Sequence, residues 1–277
     1  MKRIAVINDM SGFGRCSMTA ALPVISALGV EACPLPTAVL SNQTGYPSFS
    51  FDDFTDHIPS YVARWKDLHV QFDGILTGFL ASPKQVDLVL SFLQDFKTEH
   101  TLYILDPVMA DDGQIYGTYD DVLCQKMQEL LKFADVITPN LTELCLLNGV
   151  SYTKVTQEVK TPEDLPKIEV LAKSLLQNNL KLVVVTGICI GDAIYNIAVT
   201  KDTTAVEMSK RFGDSYSGTG DLFSSVLAGA LVQGETPEKA VQTAVRFLEK
   251  SIEDSFKEGN DRNEGVNFQK YLSMLMK

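Results

Sequence analysis

Short apolar runs alternate with longer amphipathic stretches along this chain. Residues 4–7, 73–77, 102–105, 136–138, 182–186 and 194–199 are brief and apolar. Residues 16–28, 83–96, 122–133 and 162–177 repeat their apolar positions with helical spacing, as do residues 222–232 and 237–256 further on. Strands separated by helices pair in parallel, in a βαβ sheet covered on both faces. The runs at 194–199 and 203–208 have no helix between them. They predict an antiparallel hairpin at the sheet edge, turning near Lys201-Asp202. Residues 148–160 show neither period and read as a surface excursion. No repeat, low-complexity segment or linker interrupts the pattern. Residues 1–277 are therefore expected to form one α/β domain, long enough for a substantial core.

Open sheets of this kind bind ligands beyond the carboxyl ends of their strands. The polar residues there are Asn8-Asp9-Met10-Ser11-Gly12, Ser41-Asn42-Gln43-Thr44-Gly45, Thr77-Gly78, Asp106-Pro107-Val108, Thr138-Pro139-Asn140 and Thr186-Gly187. Each alone would pass as a turn. In step with the strand ends, they predict one converging ligand rim.

The segment Tyr216-Ser217-Gly218-Thr219-Gly220-Asp221-Leu222-Phe223 opens a helical run. Gly218 and Gly220 let the backbone turn tightly and approach a ligand. The helix start offers free N–H groups and the positive end of a dipole, a site for a phosphate. Asp221 beside such a site would repel a ground-state anion. It makes chemical sense as the acceptor of a proton from a hydroxyl attacking that phosphate. It also suits a helix cap. Asn140 and Glu143 are three residues apart and share a face. With Asp106 they could serve magnesium, which takes oxygen ligands, keeps waters and is shared with phosphates. The same spacing is a capping box, and the two uses are compatible.

Ser11-Gly12-Phe13-Gly14-Arg15-Cys16-Ser17 matches a dinucleotide fingerprint only in part. The third glycine is absent, and no acidic residue marks the end of a second strand. The segment reads as a pocket lined by Ser11, or as a tight strand-to-helix turn.

Composition narrows the function classes. Hydrophobic content of 45% and charged content of 21% are ordinary for a soluble protein. A net charge of −11 and a pI near 4.8 argue against nucleic-acid or anionic-membrane partners. Five widely spaced cysteines without Cys-x-x-Cys fit reduced thiols, so a cytoplasmic location is expected. The first apolar run is too short for a signal peptide, and none reaches the roughly 18 residues of a membrane helix. There is no P-loop and no Gly-x-Ser-x-Gly elbow. His57, His69 and His100 lack metal-ligand spacing. Asp111-Asp112-Gly113 starts like a calcium loop without the later ligands and reads as a loop near the rim.

Ser217-Gly218-Thr219-Gly220-Asp221-Leu222-Phe223 resembles the anion-hole and base motif of the ribokinase-like superfamily. Asn140-Leu141-Thr142-Glu143 resembles its Asn-x-x-Glu motif. Four more segments resemble the pyridoxal, pyridoxine and pyridoxamine kinases within it. They are Ser41-Asn42-Gln43-Thr44-Gly45-Tyr46, Asp73-Gly74-Ile75-Leu76-Thr77-Gly78-Phe79, Asp106-Pro107-Val108-Met109 and Glu264-Gly265-Val266-Asn267-Phe268. The resemblance implies a three-layer α/β/α fold, mostly parallel, with a small antiparallel edge and no separate lid domain. It implies ATP- and Mg2+-dependent phosphorylation of the 5′-hydroxymethyl group of a B6 vitamer, in pyridoxal 5′-phosphate salvage.

By the same resemblance, Asp221 is the general base, and the N–H groups of Gly218, Thr219 and Gly220 hold the transferred phosphoryl group. Ser11, Thr44 and Phe79 contact the vitamer. Asp106, Asn140 and Glu143 serve the magnesium–phosphate network, with Asp106 and Glu143 as the metal side chains. Asp111, Tyr116 and Thr186 meet ATP. A homodimer is implied, and a monovalent cation is a candidate cofactor. Phe79 stands where relatives often carry tyrosine, and Ala110-Asp111 where they carry Gly-Asp. Hydroxymethylpyrimidine (phosphate) kinases share the superfamily motifs and remain the alternative, although their Gly-Gly-Ala-Gly-Ile-Gln-Ala-Asp start is not seen at residues 12–20.

Overall fold

The computed structural model describes residues 1–117 and 120–276. In chain order the first half holds β1 (Arg3–Ser11), α1 (Ser17–Ala27), β2 (Glu31–Leu40), β3 (Phe51–Asp53), α2 (Ile58–Asp67), β4 (Gly74–Thr77), α3 (Pro83–Phe96) and β5 (Leu102–Leu105). A small hairpin follows, β6 (Ala110–Asp111) and β7 (Gln114–Ile115), and then α4 (Asp121–Leu131), β8 (Val136–Ile137), α5 (Leu141–Asn148), α6 (Tyr152–Glu158) and α7 (Leu165–Ser174). The last part holds β9 (Leu182–Ile190), β10 (Ala193–Val199), β11 (Thr204–Lys210), α8 (Thr219–Val232) and α9 (Pro237–Glu258).

Nine strands form one sheet in the order β11-β10-β9-β8-β5-β4-β1-β2-β3. The six from β9 to β2 run parallel, and both edges are antiparallel. The β10–β11 hairpin is where its unbroken apolar spacing predicts it. Side-chain alternation in β1 shows why the sheet needs two covers. Ala5 and Ile7 enter a core with α2, α3, α4, α5 and α7, while Ile4 and Val6 enter another with α1, α8 and α9. The result is the expected three-layer α/β/α sandwich.

Local chemistry sets several helix starts. Ser82 accepts from the Gln85 N–H with Pro83 in the first turn, and Thr236 accepts from the Lys239 N–H with Pro237 behind it. Two expectations are corrected. Residues 148–160 are not irregular: Ser151 caps α6 through the Lys154 N–H. The edge β2–β3 pair and α2 are absent from the sequence pattern. β2 carries Pro34 and Pro36, which break a strand signature. They are tolerated because β3 pairs only with Ala38, Val39 and Leu40, leaving the outer side of the proline stretch open. No helix among the described residues is long and apolar enough to cross a membrane.

Candidate active site

The carboxyl ends of β1, β4, β5 and β8 carry the expected polar residues, and α8 begins among them; Thr186-Gly187 lies instead inside β9, which runs on to Ile190 beside β10. Gly218 is the residue before α8, with φ +79°. A Cβ there would lie 2.0 Å from the Arg15 carbonyl oxygen, so only glycine fits this crossing of the α8 and α1 starts. The first bond of the helical ladder runs from the Leu222 N–H to Gly218 O. The N–H groups of Thr219, Gly220 and Asp221 therefore precede the ladder. Nothing lies within 4 Å of the position a Gly220 Cβ would take, so that backbone is open to a ligand.

Asp221 is not the cap of its own helix. It sits inside the first turn of α8 and turns across to β1 and α1. Its Oδ1 accepts from Asn8 Nδ2 at 3.0 Å, and its Oδ2 accepts from the Ser17 N–H at 2.8 Å. Burial pushes its pKa up to about 6, with the Asp9 charge adding to the rise and the Ser17 and Asn8 donors opposing it.

Asp106, 7% exposed at the end of β5, is pushed up to about 7 by burial and by the negative charge of Asp221. Glu143 is buried, and burial with the nearby Asp106 charge holds it well above the usual carboxylate range. The capping box is real: Asn140 Oδ1 accepts from the Glu143 N–H, and Glu143 Oε2 accepts from the Asn140 N–H. Glu143 Oε1 accepts from the Met109 N–H, so both oxygens already hold backbone donors. Asn140 Nδ2 reaches Ala110 O at 2.7 Å and ties α5 to the β6–β7 hairpin.

The other expected residues differ in their surroundings. Burial raises the Tyr116 hydroxyl well above its ordinary pKa, and the carboxylates of Asp111, Glu143, Asp106 and Asp221 add to it. Asp111 is raised by burial and by Asp112, with Arg262 opposing. Thr186 forms a parallel bridge with Asn140, and its N–H donates to Pro139 O. Phe79 is half-buried, its N–H on Asn8 Oδ1. Ser11 is buried with its hydroxyl already donated to Asp9 Oδ2 at 3.0 Å. Thr44 is exposed on a loop pinned by its neighbour: the Gln43 N–H donates to Phe13 O, and Gln43 Nε2 to Asn263 O. At Gly12 a Cβ would meet Ser41 O at 2.9 Å, which accounts for that glycine by packing in the strand-to-helix turn.

Four residues outside the sequence-based set complete the site: Asn8, Asp9, Ser17 and Thr138. Asn8, Asp9 and Thr138 stood among the strand-end polar residues, and Ser17 in the partial fingerprint, without an assigned role. Asp9 is a second buried carboxylate, raised by burial and held by the Ser17 and Ser11 hydroxyls. Thr138 Oγ1 is buried without a hydrogen-bond partner at the end of β8. Among the described residues no three His, Cys, Asp or Glu side chains are grouped to hold a metal alone. A cation shared with phosphates fits this donor set: carboxylates that repel one another, an orphaned hydroxyl, and no complete protein cage. All three histidines are exposed, and all five cysteines are free.

A half-buried carboxylate at the head of a glycine-opened helix, on the rim of a doubly wound sheet, is an arrangement suited to a small-molecule kinase. The family model for phosphomethylpyrimidine kinase matches residues 14–266, and the chain belongs to that family. A Bacteroides thetaiotaomicron phosphomethylpyrimidine-kinase homologue, crystallised with pyridoxal, is 37% identical with a TM-score of 0.91, covering 99% of this chain and 95% of that one. The Lactobacillus plantarum pyridoxal kinase structure is 27% identical with a TM-score of 0.88, covering 99% and 96%. The pyridoxine/pyridoxal/pyridoxamine kinase of Bordetella avium (strain 197N) is 29% identical over 267 residues, 90% of this chain and 84% of the relative. The fold is the ribokinase-like one these pyridoxal kinases share.

Proposed function

We propose that this chain is an ATP-dependent kinase that phosphorylates the 5′-hydroxymethyl group of a B6 vitamer. The observation that carries the reading is Asp221. It is a half-buried carboxylate with a pKa near 6, one donor on each oxygen, beside the open N–H groups of α8. The pyridoxal-bound relative and the named B6 kinases support the substrate class.

Asp221 accepts the proton of the vitamer hydroxyl as that oxygen bonds to the γ-phosphorus, and the β,γ-bridging oxygen departs with ADP. The N–H groups of Gly218, Thr219 and Gly220 face the transferred phosphoryl group, where fixed donors stabilise developing charge. Asp106, Asn140, Glu143 and Thr138 would hold a Mg2+–phosphate network, in which the cation neutralises charge between phosphates. Glu143, with one backbone N–H on each oxygen, would serve that network through its remaining lone pairs. Tyr116, Asp111 and Thr186 border the nucleotide. Thr44 and Phe79 border the vitamer, and Ser11 serves it through Asp9. Phe79 keeps ring stacking and offers no hydroxyl. A single domain, a homodimer and a cytoplasmic setting belong to the same reading.

An ATP-consumption assay with Mg2+, with and without K+, tests it on pyridoxal, pyridoxine, pyridoxamine and hydroxymethylpyrimidine. Turnover on a vitamer is expected to fall by about 10²–10⁴-fold in Asp221→Asn. Turnover on the pyrimidine alone would move the enzyme into thiamine synthesis, and an active Asp221→Asn would remove the base.

A further inference from the structure

Asn8 is 5% exposed at the carboxyl end of β1, where the β1–β2 register slips between Asn8 and Met10. Such irregularities re-aim side chains beside functional sites. Asn8 Oδ1 accepts two backbone N–H groups, from Asp9 and from Phe79, each at 2.9 Å. Those bonds fix which end of the amide is oxygen. The Nδ2 end must therefore face Asp221 Oδ1, and it does so at 3.0 Å. Gly78 makes room for this, since a Cβ there would lie 2.5 Å from Asn8 Nδ2.

The other Asp221 oxygen is held just as deliberately. Ser17 is a non-glycine residue with φ +50°, a disfavoured conformation that persists where surrounding structure imposes it. In that conformation its N–H points at Asp221 Oδ2. A strained residue, a register slip and a pinched glycine thus converge on one carboxylate.

We infer that Asn8 is the positioning residue of the general base. Its amide holds Asp221 in the one rotamer that faces the phosphate hole, and its carbonyl links that rotamer to the vitamer wall at Phe79. This rests on the reading of Asp221 as base. The two arms of the amide can be separated. Asn8→Asp keeps an oxygen for the Asp9 and Phe79 N–H groups but replaces the donor facing Asp221 with a second acceptor. Asn8→Ser is too short for either.

Steady-state kinetics and calorimetric binding of ADP on purified variants test this. Asn8→Asp is expected to lower kcat at least tenfold with ADP affinity and vitamer KM unchanged. Asn8→Ser is expected to lower kcat similarly and also raise vitamer KM. The double variant N8D/D221N restores the hydrogen bond with donor and acceptor exchanged. It is expected to regain the melting temperature lost by Asn8→Asp while staying inactive. Parent-like kcat in Asn8→Asp would overturn the inference, as would a loss that only tracks the unfolded fraction or a weakened ADP affinity. Failure of the underlying reading looks different: Asp221→Asn alone would remain active.

Discussion

A carboxylate can accept a proton only when ionised, so the environment of Asp221 makes a statement about pH. Burial raises it to about 6, against an ordinary value of 3.8. Below about pH 6 the base is increasingly protonated, and kcat/KM for the vitamer is expected to fall about tenfold per pH unit. A flat profile between pH 5 and pH 8 would show that Asp221 is not the proton acceptor. The sign for stability is the opposite one. A raised folded-state pKa gives a contribution that is full below the unfolded value and lost as pH rises through about 6. At neutral pH the ionised Asp221 is thus a cost to the fold, placed where the proposed reaction needs a proton acceptor.

Gln85 shows how one helix holds the backbone at Phe79 in place. It is fully buried in α3. Its Nε2 donates to Thr37 O on β2 at 2.8 Å and to Thr55 Oγ1 after β3 at 2.9 Å, and its Oε1 accepts from the Ala81 N–H. Thr37 Oγ1 in turn donates to Phe79 O. Gln85→Leu leaves buried polar groups unpaired and is expected to cost roughly 2–4 kcal/mol, read from chemical denaturation. Vitamer KM should rise while ATP KM holds, and equal effects on both would detach the network from Phe79. None of this is legible in the sequence, because a glutamine on a helix reads as a surface residue. Asn8 is opaque for another reason: its partner Asp221 lies 213 residues away. The start of α8 is legible because its chemistry is local, with glycines, a hydroxyl and an acid in one short segment. The Asn140–Glu143 capping box is legible for the same reason. β2 is hidden by two prolines that only its half-open edge tolerates.

On the scale of the whole molecule, the two cores lie on opposite faces of the same strands. Ile4 and Val6 cannot leave one core without Ala5 and Ile7 leaving the other. The chain's end also closes on its beginning: the Arg15 N–H and guanidinium donate to Glu264 O, the Ser217 N–H to Arg262 O, and Phe268 is buried with α1, α8 and α9. Coupled layers and a tail locked onto the start of α1 should unfold together, as one domain. At about 0.7 kcal/mol per residue, this chain of 277 residues should show one calorimetric transition of about 190 kcal/mol. The van't Hoff and calorimetric enthalpies should agree for the monomeric unit. Two resolved transitions, or a van't Hoff enthalpy near half the calorimetric one, would mean the faces separate and the chain holds two units. On the proposed reading, Mg2+ and ATP would meet residues of α5, α8 and the β5 end, and adding them should raise that transition by mass action without splitting it. A ligand that raised only part of the enthalpy would confine the site to one layer, contrary to a rim built from the ends of strands that both cores share.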